Sequence, residues 1–353
     1  MTSRSPNQPN QPNQEPPGVD IPALTAWLAG QGSAVEPPIT VTTISAGRSN
    51  LTFSVRDAIG AQYVLRRPPL GALESGAHDV LRERRILSAL SATAVPVPRP
   101  VAECTDPDVI GAPFFLMDFV PGQTLSPDTA AALSPEVKRK IGRRLPEVLA
   151  QLHALDVTEI GLGDLRRDRG YVERQLRRWQ RQFDALGLPA GSPLRTVADR
   201  LTARIPEPQG NSLLHGDYKA ENVLLSADGD VATVLDWELT SVGDPLADLG
   251  WLLVWWALPD NPGRWISPPA TLAGGFPDHA DLVNAYSARS PVDVSDLPYY
   301  VAFSYWRLSC INTTTRARFV AGAMGDKELD VAALDAQVEW QLAEALAALA
   351  HAA

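Results

Sequence analysis

The stretch that decides the fold runs from residue 215 to residue 238 and reads HGDYKAENVLLSADGDVATVLDWE. It begins with a polar group that contains Asp217 and, five residues later, Asn222. A short apolar run, a polar turn and a second apolar run follow, and Asp236 closes the second run. Because Asp-Gly turns favour tight hairpins, we predict two short strands that return Asp236 to the side of Asn222.

Asp217, Asn222 and Asp236 have the chemical types and the spacing that phosphoryl transfer from a magnesium nucleotide requires. One carboxylate receives the proton of an acceptor hydroxyl. The amide and the second carboxylate hold Mg²⁺, which prefers hard oxygen ligands and keeps substrate phosphates in its shell. An ordinary β-hairpin with solvated acids at its ends is the alternative, and the number of matching positions favours the metal–nucleotide interpretation.

The bulk composition indicates a globular protein with neither a membrane nor a nucleic acid as its partner. The chain has 353 residues, which is long enough for one large or two moderate domains. Its formal net charge of −10 makes it too acidic for bulk nucleic-acid binding. The longest apolar run, 249–258, is too short to span a membrane, and we expect no secretory signal. Two cysteines fit a reduced, cytoplasmic protein. A monomer and a homodimer both stay open.

Proline and glycine punctuation divides the chain into three predicted parts. They are a disordered Asn/Gln/Pro-rich tail, 1–18, an N-terminal nucleotide-binding lobe, 19–120, and a C-terminal catalytic and acceptor-binding lobe, 121–353. The predicted fold class is α+β and bilobal, with a small β-rich lobe and a larger α-helical lobe. In the first lobe the patterns predict helices near 21–30 and 77–90 and strands near 39–44, 51–55, 62–66, 101–103 and 113–119. In the second lobe, besides the hairpin, helices are predicted near 127–155, 168–186, 193–203, 245–257, 277–288, 295–320 and 328–351.

The catalytic stretch resembles the core of the protein-kinase-like superfamily. Gly216, between His215 and Asp217, points to the aminoglycoside phosphotransferase and choline kinase branch, because protein kinases carry Arg there. Five further motifs look like the kinase-like domains associated with acyl-CoA dehydrogenases: VLRRPP at 64–69, AHDVLRE at 77–83, VPVPR at 95–99, FLMDFVPG at 115–122 and GDPLADLG at 243–250. The resemblance runs from about residue 39 to residue 318 and implies the bilobal kinase fold.

The resemblance also implies a nucleotide site in the first lobe. Arg66 stands where kinases carry a phosphate-binding Lys, since no Lys precedes residue 138. Arg67 is the second candidate, on the opposite face of the strand, and Glu83 is the matching helix carboxylate. A phosphate-covering loop and a hinge strand facing adenine complete the set. The loop contains Gly47, Arg48, Ser49 and Asn50, and the hinge strand contains Met117, Asp118, Phe119 and Val120. The alternative for Arg66 is a solvated side chain, and the alternative for Glu83 is an ion pair on the helix surface. The loop could equally be a plain turn, and the hinge strand a buried strand.

In the second lobe the resemblance implies a role for each polar residue of the catalytic stretch. Asp217 is the expected base, which orients and deprotonates the acceptor hydroxyl. Lys219 is the expected cation at the γ-phosphate, and Asn222 and Asp236 are the expected Mg²⁺ ligands. ATP is the expected phosphate donor, with GTP left open.

The expected partner is a small molecule with a hydroxyl group, and the sequence favours an anionic or apolar one. A polycationic aminoglycoside would require an acidic lining, but no clear acidic cluster follows residue 255. Arginines crowd one region instead, at Arg166, Arg167, Arg169, Arg174, Arg177, Arg178 and Arg181. Such a face suits a hydroxy acid or a coenzyme A ester, and a solvated face on an acidic protein is the alternative. An aromatic set forms either an apolar acceptor pocket or core: Trp255, Trp256, Tyr299, Tyr300, Tyr305 and Trp306.

These inferences predict a small-molecule kinase that transfers the ATP γ-phosphate to a hydroxyl of a metabolite or antibiotic. Within that class, an aminoglycoside or macrolide phosphotransferase and a hydroxy acid or hydroxyacyl-CoA kinase both stay open. A nucleotide-binding pseudokinase or scaffold is the alternative of another class, and it is disfavoured because the base and both metal ligands are present. A protein kinase is disfavoured by Gly216 and by the lack of an Ala-Pro-Glu segment after Asp236.

Overall fold

The computed structural model describes residues 16–32, 34–45, 50–70, 79–324 and 328–352. The chain divides into two compact units. The first contains the residues up to 93 together with 97–121, and the second contains 94–96 together with 122–353. The predicted tail reaches the described residues only at 16–18, which lead into and form a turn. The division after Pro121 falls beside the predicted lobe boundary, and the binding functions assigned to the lobes stay predictions.

The first unit is built on a five-stranded antiparallel sheet. Its elements are α1 (Ile21–Gly30), β1 (Thr40–Ser45), β2 (Leu51–Arg56), β3 (Gln62–Arg67), α2 (Val80–Leu90), β4 (Pro100–Cys104) and β5 (Phe114–Asp118). The strands lie in the order β1-β2-β3-β5-β4. Fully buried side chains of the sheet, among them Phe53, Leu65 and Leu116, form one core with α1.

Strand β3 sends its two arginines to opposite faces, as the alternation of a strand requires. Arg66 lies opposite Thr52 of β2 and Phe115 of β5. Arg67 is buried and donates to three backbone carbonyls, those of Gly18, Pro68 and Ile110. Burial lowers the pKa of Arg67. Its guanidinium therefore joins three chain segments of the first unit.

The second unit is mostly helical. Its helices are α3 (Pro127–Ala132), α4 (Pro135–His153), α5 (Tyr171–Ala185), α6 (Pro193–Thr202), α7 (Leu246–Val254), α8 (His279–Ser287), α9 (Leu297–Val320) and α10 (Val331–His351). Its strands are β6 (Gln123–Thr124), β7 (Ser212–Leu214), β8 (Val223–Leu225), β9 (Val231–Val234) and β10 (Ser241–Gly243). Strands β6, β8 and β9 form one small sheet, and β7 pairs with β10. Helix α9 packs against α7 and α10.

The predicted hairpin is present as β8 and β9, which pair antiparallel. Its turn is closed by two backbone bonds, from Gly229 N–H to the Ser226 carbonyl at 2.9 Å and from Ser226 N–H to the Asp230 carbonyl at 2.9 Å. The Asp-Gly step supplies the left-handed residue, since Gly229 has φ +80°. The predicted α+β fold class is confirmed by this arrangement of a small antiparallel sheet followed by a helical unit.

The single helix predicted over 127–155 is wrong. The chain forms α3 and α4 instead, because Leu133 is extended with ψ 141°. A residue in the sequence position before Pro is disfavoured in the α region, and Ser134 precedes Pro135 and caps α4 by accepting from Val137 N–H. The strands β6, β7 and β10 were not predicted, since two or three residues show no period.

One further expectation concerns membranes. Within the described ranges, no helix has the length and apolar character that crossing a bilayer needs.

Candidate active site

The loop that carries the site follows β7, and its backbone is held by a buried carboxylate. Asp248 of α7 accepts from His215 N–H at 2.6 Å and from Gly216 N–H at 2.9 Å. Burial alone would raise the pKa of Asp248, but its hydrogen bonds with His153 and with the Gly216 amide outweigh burial and hold the pKa below its usual range. Asp248 thus stays ionised and fixes the loop from beneath.

His215 supports the same loop from inside. Its ring is fully buried, with Nε2 2.8 Å from the Leu235 carbonyl and Nδ1 3.1 Å from Asp217 N. A carbonyl can only accept, so Nε2 carries the hydrogen, and Nδ1 then accepts from the Asp217 amide. The ring also packs edge-to-face on Trp237, with 4.6 Å between centroids. Through these contacts the His215 ring sets the loop geometry.

The Asp217 carboxylate is held by three donors. Trp251 Nε1–H donates to Oδ1 at 2.8 Å, and Asn222 Nδ2–H donates to Oδ2 at 2.8 Å. The Lys219 ammonium lies 3.1 Å from Oδ2. Both oxygens therefore have a defined direction, while the side chain keeps 18% of its surface exposed. The structure thus brings Asp217, Lys219 and Asn222 together, as the sequence predicts.

Asn222 and Asp236 are joined through the hairpin backbone. Leu235 N–H donates to the Asn222 carbonyl at 2.8 Å, so Asp236 follows directly after the residue bonded to Asn222. Asp236 has φ +65° and ψ +66°, a left-handed conformation that Asp adopts more readily than most residues. This turn of the backbone ends β9 and sets the direction of the Asp236 side chain.

Two cation–ring contacts involve neighbours of the base, Lys219 and Trp251. The Lys219 ammonium lies 4.4 Å from the centroid of the Trp255 ring, and the Arg307 guanidinium lies 4.3 Å from that of Trp251. Arg307, from α9, also donates to the Gly216 carbonyl at 2.7 Å. Sequence reasoning assigned no role to Trp251 or Arg307, and no local pattern relates either of them to Asp217.

The aromatic group continues away from Asp217. Trp255 packs on Trp265 at 5.2 Å, and Trp265 packs on Trp340 at 5.4 Å between centroids. The indole N–H groups of Trp255 and Trp265 are buried and have no hydrogen-bond partner among the described residues. Of the six aromatics predicted to form pocket or core, Trp256, Tyr299, Tyr300 and Trp306 are fully buried core.

In the first unit, Arg66 and Glu83 form a buried ion pair. Arg66 Nη2 is 2.9 Å and Nε is 3.2 Å from Glu83 Oε2, and Glu83 is only 2% exposed. Asn50 Nδ2 approaches the same oxygen at 3.4 Å, and Arg66 Nη1 approaches Thr52 Oγ1 at 3.4 Å. Arg66, Glu83 and Asn50 are therefore neighbours, whereas Arg67 is on the other face of the sheet. Gly47, Arg48 and Ser49 lie outside the described residues.

The predicted hinge residues lie at the end of β5. Met117 is buried, and Asp118 N–H donates to the Arg99 carbonyl at 2.9 Å. The Asp118 side chain accepts from Arg99 Nε at 3.0 Å. Phe119 is 38% exposed, and Val120 follows it after the strand has ended. The end of β5 is thus held by Arg99 and by its pairing with β3, and adenine recognition by this segment stays a prediction.

The predicted basic face on α5 is partly used within the protein. Arg174 donates to the Val242 carbonyl at 3.0 Å, and Arg177 pairs with Glu173 at 2.8 Å. Arg169 also lies 3.6 Å from Glu173. These contacts account for part of the arginine cluster without a partner molecule.

Comparison with known proteins finds a matching family and related chains. The model of the phosphotransferase enzyme family, APH, matches residues 40–274. Human acyl-CoA dehydrogenase family member 11 is 30% identical over 304 residues, a match that covers 85% of this chain and 39% of that protein. The chain therefore spans about two fifths of the length of that relative.

Two solved structures show the same fold. A "putative aminoglycoside phosphotransferase" from Ralstonia eutropha has a TM-score of 0.77 at 31% identity, covering 94% of this chain and 98% of that chain. A ternary complex of a thermostable mutant of aminoglycoside phosphotransferase APH(4)-Ia with AMP-PNP and hygromycin B has a TM-score of 0.60 at 16% identity, covering 94% and 99%. Since the family model covers well over half of the sequence, the chain belongs to the APH phosphotransferase enzyme family.

Proposed function

We propose that the protein is a small-molecule kinase that transfers the γ-phosphate of ATP to a hydroxyl group, with Asp217 as the base. The observation that carries the proposal is the Asp217 carboxylate, fixed by donors from Trp251, Asn222 and Lys219 at 2.8, 2.8 and 3.1 Å. A base is effective when it is held within hydrogen-bond reach of the proton it takes. These donors hold both oxygens while leaving the side chain partly exposed.

The proposed step exchanges one oxygen–phosphorus bond for another. The acceptor oxygen bonds to the γ-phosphorus, the bond from that phosphorus to the β–γ bridging oxygen breaks, and ADP leaves. The hydroxyl proton passes to Asp217. Lys219 directs positive charge toward the transferred phosphoryl oxygens. Because the transition state spreads its charge over those oxygens, the residues act mainly by positioning and electrostatic stabilisation.

Asn222 and Asp236 fit a Mg²⁺ ion. The amide nitrogen of Asn222 is committed to the Asp217 carbonyl at 2.9 Å and to its carboxylate at 2.8 Å, so Asn222 Oδ1 is the atom left to face a metal. Two hard oxygen donors suit Mg²⁺, which takes its remaining ligands from water and substrate phosphates. Within the described ranges, no group of three or more His, Cys, Asp or Glu side chains could hold a metal on its own. When bound, the ion would neutralise phosphate charge.

The first unit supplies the proposed nucleotide-binding residues. Arg66 can hold phosphate oxygens bidentately, and its pair with Glu83 orients the guanidinium as the Lys–Glu pair does in kinases. Asn50 lies beside this pair, and Gly47, Arg48 and Ser49 complete the proposed phosphate loop. Met117, Asp118, Phe119 and Val120 are the proposed adenine segment, and GTP is the alternative donor.

The proposed acceptor is anionic or apolar rather than polycationic. Trp251 and Lys219 contact the Asp217 carboxylate directly. Trp255 lies against Lys219, and Arg307 lies over Trp251. The positive charges of Lys219 and Arg307 would repel an aminoglycoside. A hydroxy acid or hydroxyacyl-CoA ester meets these conditions, and it also agrees with the acyl-CoA dehydrogenase name of the human relative.

The proposal is tested by ATP and GTP consumption with Mg²⁺ against a panel of hydroxyl compounds. The panel contains aminoglycosides, macrolides, choline, hydroxy acids and hydroxyacyl-CoA esters, and Asp217→Asn serves as the blank. We expect turnover with an acid or acyl-CoA ester and a loss of about 10²–10⁴-fold in the variant.

Two results would change the proposal. Turnover with aminoglycosides alone would overturn the acceptor class and keep the kinase. Binding of Mg²⁺ and AMP-PNP without turnover on any compound would favour a pseudokinase or scaffold.

A further inference from the structure

We propose that Trp251 and Trp255 are positioning residues for the two catalytic side chains, Asp217 and Lys219. The inference rests on the proposed function. It concerns how α7 prepares the site rather than which group reacts. Neither tryptophan lies in the catalytic stretch, and each reaches a different member of it.

Trp251 fixes the rotation of the base. The terminal torsion of an Asp side chain is broad, so one hydrogen bond leaves the carboxylate free to turn. Asn222 holds Oδ2 at 2.8 Å, and Trp251 holds Oδ1 at 2.8 Å from a second direction. An indole N–H can only donate, so the contact directs a carboxylate oxygen and cannot compete for the acceptor's proton.

The Trp251 ring is itself held in place. Arg307 lies over it at 4.3 Å from the ring centroid, and the same guanidinium donates to the Gly216 carbonyl at 2.7 Å. Both Trp251 and Arg307 are buried. The loop before Asp217 and the ring that orients Asp217 therefore share one support, and a movement of one would move the other.

Trp255 holds Lys219 by its ring face. A Lys side chain has a flexible four-carbon stem, and the ring 4.4 Å from Nζ restrains the ammonium while it stays 3.1 Å from Asp217 Oδ2. A carboxylate in this place would bind the N–H groups of Lys219 directly. A ring attracts the cation through its quadrupole and leaves those N–H groups for phosphate oxygens.

Helical spacing explains why one element serves both groups. Residues four apart in a helix lie on the same face, and Trp255 directly follows the last residue of α7. The two rings lie 6.1 Å apart. Helix α7 also carries Asp248, so it supports the loop backbone, the base and the cation together.

The test compares the kinetics of three variants with those of wild type. The acceptor is the panel compound that the wild-type enzyme phosphorylates, or water in the hydrolysis of Mg·ATP. Trp251→Phe keeps the ring under Arg307 and removes the N–H. We expect kcat to fall about tenfold or more with an unchanged KM for ATP. Trp255→Leu, which removes the ring face, should lower kcat similarly, whereas Trp255→Phe should stay within roughly threefold of wild type.

Trp256→Phe is the matched control. Its N–H donates to the Pro277 carbonyl at 2.8 Å, so this variant loses a buried indole hydrogen bond of equal length next to Trp255 but away from Asp217. We expect its kcat to equal that of wild type. Equal losses in Trp251→Phe and Trp256→Phe would overturn the inference and indicate a general effect on packing.

A spectroscopic readout separates the inference from the proposed function. The indole N–H resonance of Trp251, assigned by its absence in Trp251→Phe, should move in Asp217→Ala and stay in Trp256→Phe. An unmoved resonance would overturn the role of Trp251 even in an active enzyme. A moved resonance in a protein without turnover would keep the contact and reject the proposed function.

Discussion

At the scale of single residues, the backbone angle at position 216 decides which residue type the catalytic loop can carry there. Its φ is +86°, and an added Cβ would lie 2.6 Å from the Leu239 carbonyl oxygen. The left-handed angle disfavours other residues, and the contact with Leu239 excludes them without a shift of that carbonyl. Gly between His215 and Asp217 is therefore a requirement of this loop, and an Arg would not fit.

We expect Gly216→Ala to lower both stability and activity. The strained angle costs of order 1–3 kcal/mol, and relief of the clash would displace Asp217. Urea unfolding and kcat measure the two effects. The control is Gly161→Ala, which has φ +76° with nothing within 4 Å of the added Cβ. It should lose stability and keep kcat. A wild-type kcat in Gly216→Ala would contradict the prediction.

Glu221, next to Asn222, is half-buried, and one oxygen of its carboxyl group is fully buried. Its Oε2 has no hydrogen-bond partner among the described residues. Burial raises the pKa of Glu221, against smaller opposing effects that include the charge of Lys219. The folded protein thus binds this proton more tightly than the unfolded chain. The associated stability is complete below the unfolded pKa, about 4.3, and is lost as pH rises through the raised folded pKa.

We therefore expect Glu221→Gln to stabilise the protein by about 1 kcal/mol at pH 8 and so to raise its unfolding temperature. At pH 4 the substitution should have little effect. Calorimetry at the two pH values measures the difference. Glu207→Gln, at an exposed position, is the control and should change neither value. A lower unfolding temperature for Glu221→Gln at pH 8 would argue against a buried charge.

Whether a site residue could be predicted depends on how far along the chain it lies from the group it contacts. Asp217, Asn222 and Asp236 lie within the one stretch 215–238, so their types and spacing are visible in the sequence. Trp251 is 34 residues from the carboxylate it holds, and Arg307 is 91 residues from the carbonyl it binds. Only the packing of α7 and α9 brings them there, and helical periodicity describes them equally well as core.

At the scale of elements, α7 is the helix on which the site depends. It packs against α9 at Gly250, where an added Cβ would lie 2.7 Å from the Tyr300 backbone. The same helix carries Asp248, which holds the loop amides, and Trp251. Its position relative to α9 therefore sets the position of the base. The amphipathic patterns predict both helices, but they do not predict which faces meet.

We expect Gly250→Ala to separate α7 from α9 and to cost about 1–3 kcal/mol of stability, with a larger fractional loss of kcat than of ATP affinity. Urea unfolding and steady-state kinetics measure these effects. Gly30→Ala, where an added Cβ meets nothing within 4 Å, should be neutral or stabilising, since Ala favours helix. Unchanged kcat in Gly250→Ala would show that α7 tolerates displacement.

The break between α3 and α4 marks a different limit of prediction. Ser134-Pro135 is a helix-start signal visible in the sequence, yet the apolar periodicity on both sides suggested one helix. The local signal prevailed, because Pro135 disfavours the α conformation at Ser134 and Ser134 caps α4. The short strand β6 was missed for the opposite reason. It carries no local signal, since it depends on pairing with β8 alone.

At the scale of the whole molecule, binding of the nucleotide and the metal should stabilise the protein by mass action. A ligand at 100 times its Kd contributes about 2.7 kcal/mol. We expect Mg²⁺ with AMP-PNP to raise the unfolding temperature. The increment should shrink with EDTA and in Asp236→Asn, and it should persist in Asp217→Asn, which keeps both metal ligands. Equal increments in the presence and absence of Mg²⁺ would contradict the metal assignment.

The ammonium of Lys219 over the Trp255 ring has an optical consequence. The energy of the indole excited state depends on nearby charge, so a cation resting on the ring face alters its emission. The protein has nine tryptophans, and two of them, Trp251 and Trp255, contact the proposed catalytic groups. A phosphate that draws Lys219 away from the ring would change the colour or intensity of that emission. The site thus contains its own fluorescent reporter, and the difference between wild type and Trp255→Phe isolates its signal.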